Sequence, residues 1–372
     1  MYIHKDDVQL FKGNNNNLAY INIMSINNNN NIARFFKSTI VVASVILLIT
    51  HVQLVQSEVF AFGIHEGYQY YNWTRITDIG FWTYPEAEVL ELTKRYNVKL
   101  WADSGLPDQK EWLDPAKRKQ FAQAKLEQVK QYNLTGGVFF DFEGALNKAA
   151  EKEAYTALAK EVADALATVG AGIFICVGGR PTYELRDYNY TGLGMYAKFL
   201  FIMGYDMHFW DDYTCVTKGT CSPAEASIKD LDAGITAYVK QVPSDKLLLG
   251  LPWYGQVYQE IVVPWNKGQI HYADTLDIIN TKGRLKSKTL DKSSQTWKVD
   301  CNGKCRDDKA GGIIWFDDAT TLKPKYALAK QYQLRGVGVW QMSDAPLPDS
   351  KGNDPYKQER NDMLNALYAW DQ

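Results

Sequence analysis

Beyond residue 57 the hydrophobic positions follow two alternating patterns. Short runs are apolar at nearly every position, and the longer stretches between them repeat apolar residues every three or four positions. The clearest longer stretch places Tyr155, Leu158, Ala159, Val162 and Leu166 on one face, which is the spacing of an amphipathic helix. The short runs, which read as strands, are 59–64, 79–83, 98–102, 138–142, 172–177, 199–205, 247–253 and 337–341.

These runs predict an α/β fold with a closed sheet. Strands that are apolar throughout are covered on both faces, as in parallel sheets. Eight of them, each generally followed by a helix, predict a (β/α)8 TIM barrel over residues 58–372. An open doubly wound sheet is the alternative, but no Gly-x-Gly-x-x-Gly follows the first strand. The irregular stretch 256–311 reads as an insertion between strand 7 and its following helix.

The first 57 residues do not read as part of this fold. They contain asparagine runs at 14–17 and 27–31, then Arg34 and Lys37, then the apolar stretch 39–50. A basic region followed by a short apolar segment predicts a secretory signal. The segment is short of the about 20 residues that span a membrane. Retention as a signal anchor, or initiation at Met24, are the alternatives.

A secretory route predicts N-glycans and disulfides. Acceptor sequons for N-glycans begin at Asn72, Asn133 and Asn189. The cysteine pairs Cys215/Cys221 and Cys301/Cys305 are close in sequence, which favours short-range disulfides in an oxidising compartment. A zinc site is the alternative, but these spacings with so few histidines make a poor zinc pattern, so we expect no metal. Cys176 lies in an apolar run and reads as a buried free thiol.

Composition narrows the possible partners. The chain has 41 basic and 43 acidic side chains and a formal net charge of −2, which argues against nucleic acid as a partner. Aromatic residues make up 13% of the chain, and their rings suit the faces of sugars as well as a large core. No motif calls for a cofactor, and a monomer is the default expectation.

The ends of the predicted strands carry the candidate chemistry, because barrel enzymes place their active sites at the carboxyl ends of the strands. On strand 4, a period of two puts Phe139, Asp141 and Glu143 on one side. Two neighbouring carboxyls raise the proton affinity of one of them, and a neutral glutamic acid is a competent general acid. The alternative is that Glu143 caps the next helix and Asp141 forms a salt bridge.

Strands 6 and 8 also end in groups that could bind a ligand. Strand 6 ends in Met203, Tyr205 and Asp206, and strand 8 ends in Trp340 and Gln341. An exposed indole could stack under a sugar, whereas the alternative for both strand ends is that the aromatic side chains belong to the core.

Together these segments resemble glycoside hydrolase family 18, which comprises chitinases, endo-β-N-acetylglucosaminidases and chitinase-like lectins. The resemblance runs from about residue 58 to the C-terminus. It rests on Phe140-Asp141-Phe142-Glu143, on Met203-Gly204-Tyr205-Asp206, on Leu251-Pro252-Trp253-Tyr254-Gly255 and on Trp340. It implies a retaining hydrolase for β-1,4 bonds between N-acetylglucosamine units, acting on di-N-acetylchitobiose or on chitin oligomers.

The resemblance also implies roles for individual residues. Glu143 matches the proton donor, and Asp141 matches the group that accepts from the substrate acetamide N–H. Tyr205 matches the donor to the acetamide carbonyl, because the acetamide oxygen rather than a protein group attacks C1. Trp340 matches the platform under the distorted sugar. Met203 and Asp206 match neighbours of that subsite.

Two departures from the family pattern Asp-Gly-x-Asp-x-Asp-x-Glu stand out. Gly136 and Phe139 replace its first two acidic residues. An apolar Phe139 beside the carboxyls raises their proton affinity and favours an acid pH optimum. The resemblance to this family implies the lysosome as the expected location, with the extracellular space as alternative. A catalytically weak or inactive lectin that binds chitin oligosaccharides is the alternative function.

Overall fold

The computed structural model describes residues 57–64, 66–182, 186–207, 224–259, 265–303, 305 and 312–371. Of the predicted leader only Ser57 is among them, and Cys215 and Cys221 lie outside the described residues.

Eight parallel strands form a closed barrel, as the sequence predicts. Each predicted run matches one strand to within two residues at either end. Neighbours in the barrel follow chain order, and the first strand pairs with the last, Glu58 opposite Gly336. The barrel strands are β1 (Glu58–Phe62), β2 (Asp78–Phe81), β3 (Lys99–Asp103), β4 (Gly137–Phe140), β5 (Gly172–Gly178), β6 (Phe199–Met203), β7 (Leu247–Pro252) and, after the five strands of the insertion, β13 (Gly336–Trp340).

Helices cover the outside of the barrel. Helix α2 begins at Pro115, whose missing N–H costs nothing there, and Asp114 caps it by accepting from the Ala116 amide. In α3 the five residues predicted to share an apolar face are all buried. None of the described helices is long and apolar enough to cross a bilayer. The helices are α1 (Ala87–Tyr96), α2 (Pro115–Tyr132), α3 (Ala149–Ala167), α4 (Tyr190–Tyr196), α5 (Ile228–Tyr238), α6 (Tyr272–Asn280), α7 (Ala319–Gln331) and α8 (Lys357–Tyr368).

Aromatic side chains fill the barrel interior. Phe174 stacks on Phe199 with ring centroids 4.8 Å apart. Glycines on neighbouring strands make room for these rings, since a Cβ at Gly250 would lie 2.2 Å from the Phe201 ring. The space beneath the carboxyl ends of the strands is therefore closed and apolar. The buried interior residues are Phe60, Phe62, Trp101, Phe139, Phe174, Cys176, Phe199, Phe201, Met203, Tyr205 and Leu248.

The insertion lies where the sequence places it, between β7 and α7, but it is larger and more regular than predicted. It forms an antiparallel sheet of order β10-β11-β12-β8-β9 that extends from residue 254 to residue 316. The predicted disulfide Cys301–Cys305 is present, and Cys176 is a buried free thiol as expected. The strands are β8 (Tyr254–Gln259), β9 (Trp265–His271), β10 (Leu285–Asp291), β11 (Thr296–Cys301) and β12 (Ile313–Phe316), with α6 after β9.

A buried ion pair joins this sheet to the helical layer. The Lys325 ammonium on α7 lies 2.6 Å from each carboxylate oxygen of Asp317, next to β12, and donates to the Thr296 hydroxyl of β11 at 2.9 Å. Both charged side chains are essentially inaccessible to solvent. The pair therefore fixes α7 against two strands of the insertion.

Candidate active site

Three carboxyl groups lie at the carboxyl ends of β3 and β4, the barrel mouth. β4 ends at Phe140, so Asp141 and Glu143 follow it directly, and Asp103 ends β3. The predicted alternation continues past the strand. Phe142 packs outward against Trp112, with ring centroids 4.8 Å apart, while Asp141 interacts electrostatically with Glu143 and Asp103. Asp103 was missed, although it shares a face with Trp101 by the same period of two.

Asp141 is the most perturbed of the three carboxyls. Burial raises its pKa to about 7, and the neighbouring carboxyls of Glu143 and Asp103 add to the rise. The Cys176 side chain, by hydrogen bonding, and the Arg186 charge oppose it. The Oδ1 atom of Asp141 is buried and has no hydrogen-bond partner in the described part of the chain. The mouth thus holds an acceptor that a ligand N–H could satisfy.

Cys176 lies on β5 beside Asp141. Burial raises the pKa of its thiol well above the ordinary value, so it stays a neutral group at physiological pH. Its position two residues after the inward-facing Phe174 was the available signal for this contact.

The two departures from the family pattern have structural causes. A Cβ at Gly136 would lie 2.3 Å from the Trp101 indole. Phe139 is fully buried and stacks on Phe174 with centroids 5.1 Å apart. Both positions serve the aromatic packing of the interior.

Glu143 is about half exposed and forms an ion pair with a buried arginine. The Arg186 Nη2 atom lies 3.0 Å from Glu143 Oε2, and the two side chains are 7% and 53% exposed. The Tyr188 hydroxyl donates to the backbone carbonyls of Phe142 and Gly144 on either side of Glu143, at 2.9 and 2.6 Å. Arg186 was missed, because nothing in the sequence of the loop after β5 indicates where its side chain turns.

Tyr205 and Met203 belong to the barrel interior just below the mouth. Tyr205 is 8% exposed, and burial raises the pKa of its phenol well above the ordinary value. The hydroxyl therefore remains a hydrogen-bond donor at any physiological pH. Met203 packs in the same interior cluster.

Asp206 is held by a polar cluster that also involves the insertion. Its carboxylate accepts from the Tyr254 hydroxyl at 2.8 Å and from the Gln256 amide at 3.1 Å, and its backbone N–H donates to Glu225 at 2.7 Å. Burial and the Asp206 charge raise the pKa of Glu225 well above its ordinary value. Asp206 has a positive φ of 50°, which this cluster stabilises. Glu225 was missed, since its sequence context carries no motif.

A pair of tryptophans completes the mouth. Trp340, at the end of β13, is partly buried against the interior cluster, and its ring centroid lies 4.9 Å from that of Trp82. Trp82 follows β2 and is 43% exposed. It borders a cavity of about 190 Å³ that Asp103 and Tyr132 also line. Trp82 was missed, though it lies near the end of a predicted strand, as Trp340 does.

The three sequon asparagines are exposed. Asn72 and Asn189 accept hydrogen bonds through Oδ1 from residues that follow them, and Asn133 caps the C-terminal end of α2 with a positive φ of 50°. Among the described residues no group of three or more His, Cys, Asp or Glu side chains could hold a metal ion.

This chain is similar to known proteins in both sequence and fold. The model of glycosyl hydrolases family 18 matches residues 101–345. Human di-N-acetylchitobiase is 28% identical over 334 residues, which cover 83% of each chain. A family 18 N-acetylglucosaminidase from Paenibacillus barengoltzii has the same fold, with a TM-score of 0.64, 16% identity and coverage of 85% of this chain and 100% of that one. A chitinase-like agglutinin from Robinia pseudoacacia matches with a TM-score of 0.58 and 18% identity over 83% of this chain and 99% of its own.

Proposed function

The chain belongs to glycosyl hydrolases family 18, and from that premise we propose that it is a retaining, substrate-assisted glycosidase. Its proposed substrates have β-1,4 linkages between N-acetylglucosamine units. The chitobiose core of degraded N-glycans, or short chitin oligosaccharides, are the substrates that the similarity to di-N-acetylchitobiase favours. The proposed place of action is the secretory pathway: the lysosome is the preferred location and the extracellular space is the alternative.

One observation carries this proposal. The buried Oδ1 atom of Asp141 lacks a partner among the described residues, and it lies at the barrel mouth beside Glu143. An unsatisfied buried acceptor costs about 1–3 kcal/mol, so a ligand N–H that binds there is stabilised by the loss of that cost. The acetamide N–H of N-acetylglucosamine is such a donor, and it places the acetamide oxygen near C1 of the same sugar.

In the first step Glu143 gives its proton to the linkage oxygen as the bond from C1 to that oxygen breaks. The acetamide oxygen then bonds to C1 and forms an oxazolinium ion, whose N–H donates to the Asp141 carboxyl oxygen, and this oxygen offsets part of the positive charge. Tyr205, which keeps its proton, donates to the acetamide oxygen and orients it.

In the second step Glu143 removes a proton from water as the water oxygen bonds to C1. The acetamide oxygen leaves on the opposite face, so the product keeps the configuration of the substrate. Trp340 is the proposed platform for the reacting sugar, and Trp82, 4.9 Å away, extends that aromatic surface.

The test is release of N-acetylglucosamine from di-N-acetylchitobiose at pH 4–6. Glu143→Gln should lower kcat by about 10²–10⁴-fold, because general acid catalysis contributes that much, while the substrate Kd stays within a few-fold. The matched control is Glu161→Gln, which removes a carboxyl on α3 that pairs with Arg118 away from the mouth. Product sizes from oligosaccharides of four to six units distinguish short from long substrates. Binding without turnover by the wild type would contradict the enzyme proposal.

The second candidate function is a lectin for chitin oligosaccharides. Two observations favour it: an agglutinin shares the fold, and the predicted proton donor is engaged by Arg186 at 3.0 Å. A lectin would bind the oligosaccharide equally well before and after Glu143→Gln and would release no sugar. Calorimetry together with the turnover assay separates the two functions.

A further inference from the structure

Arg186 is a buried arginine that forms an ion pair with the proposed proton donor, Glu143. Its side chain is only 7% exposed, yet it reaches the more exposed Glu143 carboxyl at 3.0 Å. A buried charge is costly unless it is paired, so this ion pair is part of how the arginine is accommodated. Its partner is the carboxyl that must exchange a proton during the proposed reaction.

The surrounding chain fixes both partners. The Tyr188 amide donates to the Arg186 carbonyl at 3.0 Å, and the Tyr190 hydroxyl donates to the same carbonyl. The Tyr188 hydroxyl holds the backbone on both sides of Glu143. One tyrosine therefore connects the backbone of the arginine with that of the acid, which limits how far the two side chains can separate.

Arg186 also brings positive charge to an acidic site. Further carboxyl groups lie at the ends of β3 and β4. Weaker acids lie on β5, after β6 and in the loop before α4. In the part of the chain that the structure describes, the titratable and charged groups that face the Glu143 region are Asp103, Asp141, Cys176, Tyr188, Tyr205 and Arg186.

We propose that Arg186 is a positioning residue of the glycosidase reaction, which holds the Glu143 carboxyl at the mouth and supplies its counter-charge once the proton has left. This inference rests on the proposed function. After the first step Glu143 is a carboxylate, and the Arg186 guanidinium 3.0 Å away carries the opposite charge. The negative charge that Glu143 gains is therefore paired throughout the lifetime of the intermediate.

The pH profile of kcat/KM tests this role, because it reports the ionisation of the free enzyme. Without the arginine the charged form of the acid loses its counter-ion, so in Arg186→Met the alkaline limb should move up by about one pH unit. Arg186→Lys, which keeps the charge, should keep the wild-type limb and recover part of the lost rate. The matched control is Arg360→Met. This substitution on α8 breaks a buried ion pair with Asp354, 2.5 Å away. If Arg186→Met lowers the rate uniformly with an unchanged limb, as expected for Arg360→Met, Arg186 is only structural and the proposal is wrong.

A titration that needs no turnover separates this proposal from the function on which it rests. Carboxyl carbons are labelled with ¹³C in glutamate, and the Glu143 signal is the one that disappears in Glu143→Gln. We expect this signal to titrate at a pH about one unit higher in Arg186→Met than in the wild type. Identical titrations would overturn the role of Arg186 even if the enzyme is active. A shifted titration in a protein without turnover would uphold the pairing and reject the glycosidase.

Discussion

Asp141 carries a free-energy cost that the fold tolerates at the barrel mouth. Its pKa of about 7, against an ordinary 3.8, means that the folded state holds this proton much more tightly than the unfolded chain does. Between pH 4 and 7 the folded protein therefore binds more protons at this site, and its free energy of unfolding falls as the pH rises. A ligand N–H bound to Asp141 would offset part of that cost.

We expect Asp141→Asn to remove this pH dependence. Each pKa unit corresponds to about 1.4 kcal/mol, so the wild type should lose about 2–4 kcal/mol relative to the variant between pH 4 and 7.5. Urea unfolding at several pH values measures the difference, and groups such as Asp78 titrate equally in both proteins and cancel. Parallel stability curves for the two proteins would contradict the assignment. The variant should also lose most turnover.

Trp82 is the exposed member of the tryptophan pair at the mouth, so we expect it to contribute to substrate binding. If its exposed indole contacts sugar, Trp82→Ala should raise KM for a three- or four-unit oligosaccharide by about 5–30-fold, the equivalent of 1–2 kcal/mol. Tyr96→Ala is the matched control, since Tyr96 is similarly exposed but lies at the end of α1, before β3 begins. An equal effect of both substitutions on KM would argue against a sugar contact at Trp82.

Residues on regular strands could be predicted, and residues that depend on loop geometry could not. Asp141 and Glu143 follow a period of two, and that alternation alone predicts that they share a face. Asp103 follows the same rule, because the period of two along β3 places it on the same face as Trp101. Arg186 and Glu225 lie in connections, where the direction of a side chain depends on packing with distant parts of the chain.

At the scale of elements, the buried pair Lys325–Asp317 holds α7 and β11 together. Breaking it should be costly, because removal of one partner leaves the other charge buried and uncompensated. We expect Lys325→Met to lower the free energy of unfolding by about 3–5 kcal/mol. Lys325→Met with Asp317→Leu should recover much of that loss, because no unpaired charge remains.

Urea unfolding of the wild type, of Lys325→Met and of the double variant measures these differences in the free energy of unfolding. The value of kcat/KM per folded molecule should stay unchanged, since neither residue lies at the mouth. A double variant less stable than Lys325→Met would show that the pair itself, rather than the uncompensated charge, dominates.

All eight barrel strands could be predicted because strands buried on both faces are apolar throughout. The insertion mixes two kinds of strand: β12 is buried along its whole length, whereas β10 is not. Its β10 is mostly exposed or half-buried, so its sequence, Leu-Lys-Ser-Lys-Thr-Leu-Asp, lacks an apolar run. Only its position between β7 and α7 could be predicted.

For the whole molecule, the sequence predicts passage through a secretory compartment. Expressed in a eukaryotic secretory host, the protein should carry N-glycans at Asn72, Asn133 and Asn189, all of which are exposed. Enzymatic deglycosylation should lower the mass in up to three steps, and each Asn→Gln variant should remove one. Thr74→Ala, which removes the Asn72 sequon and keeps the asparagine, is the control. A mass that deglycosylation leaves unchanged would contradict the predicted route.

The packed aromatic interior has a consequence for the timing of proton exchange. Because phenylalanines and a tryptophan fill the described part of the barrel interior, they separate Asp141 from solvent on that side, and the mouth is its route to solvent. A sugar lying against Trp340 would cover that route for as long as it stays. The protonation state of the site is then set before the sugar arrives, so acidity should govern how often an encounter succeeds more than how fast a captured sugar reacts.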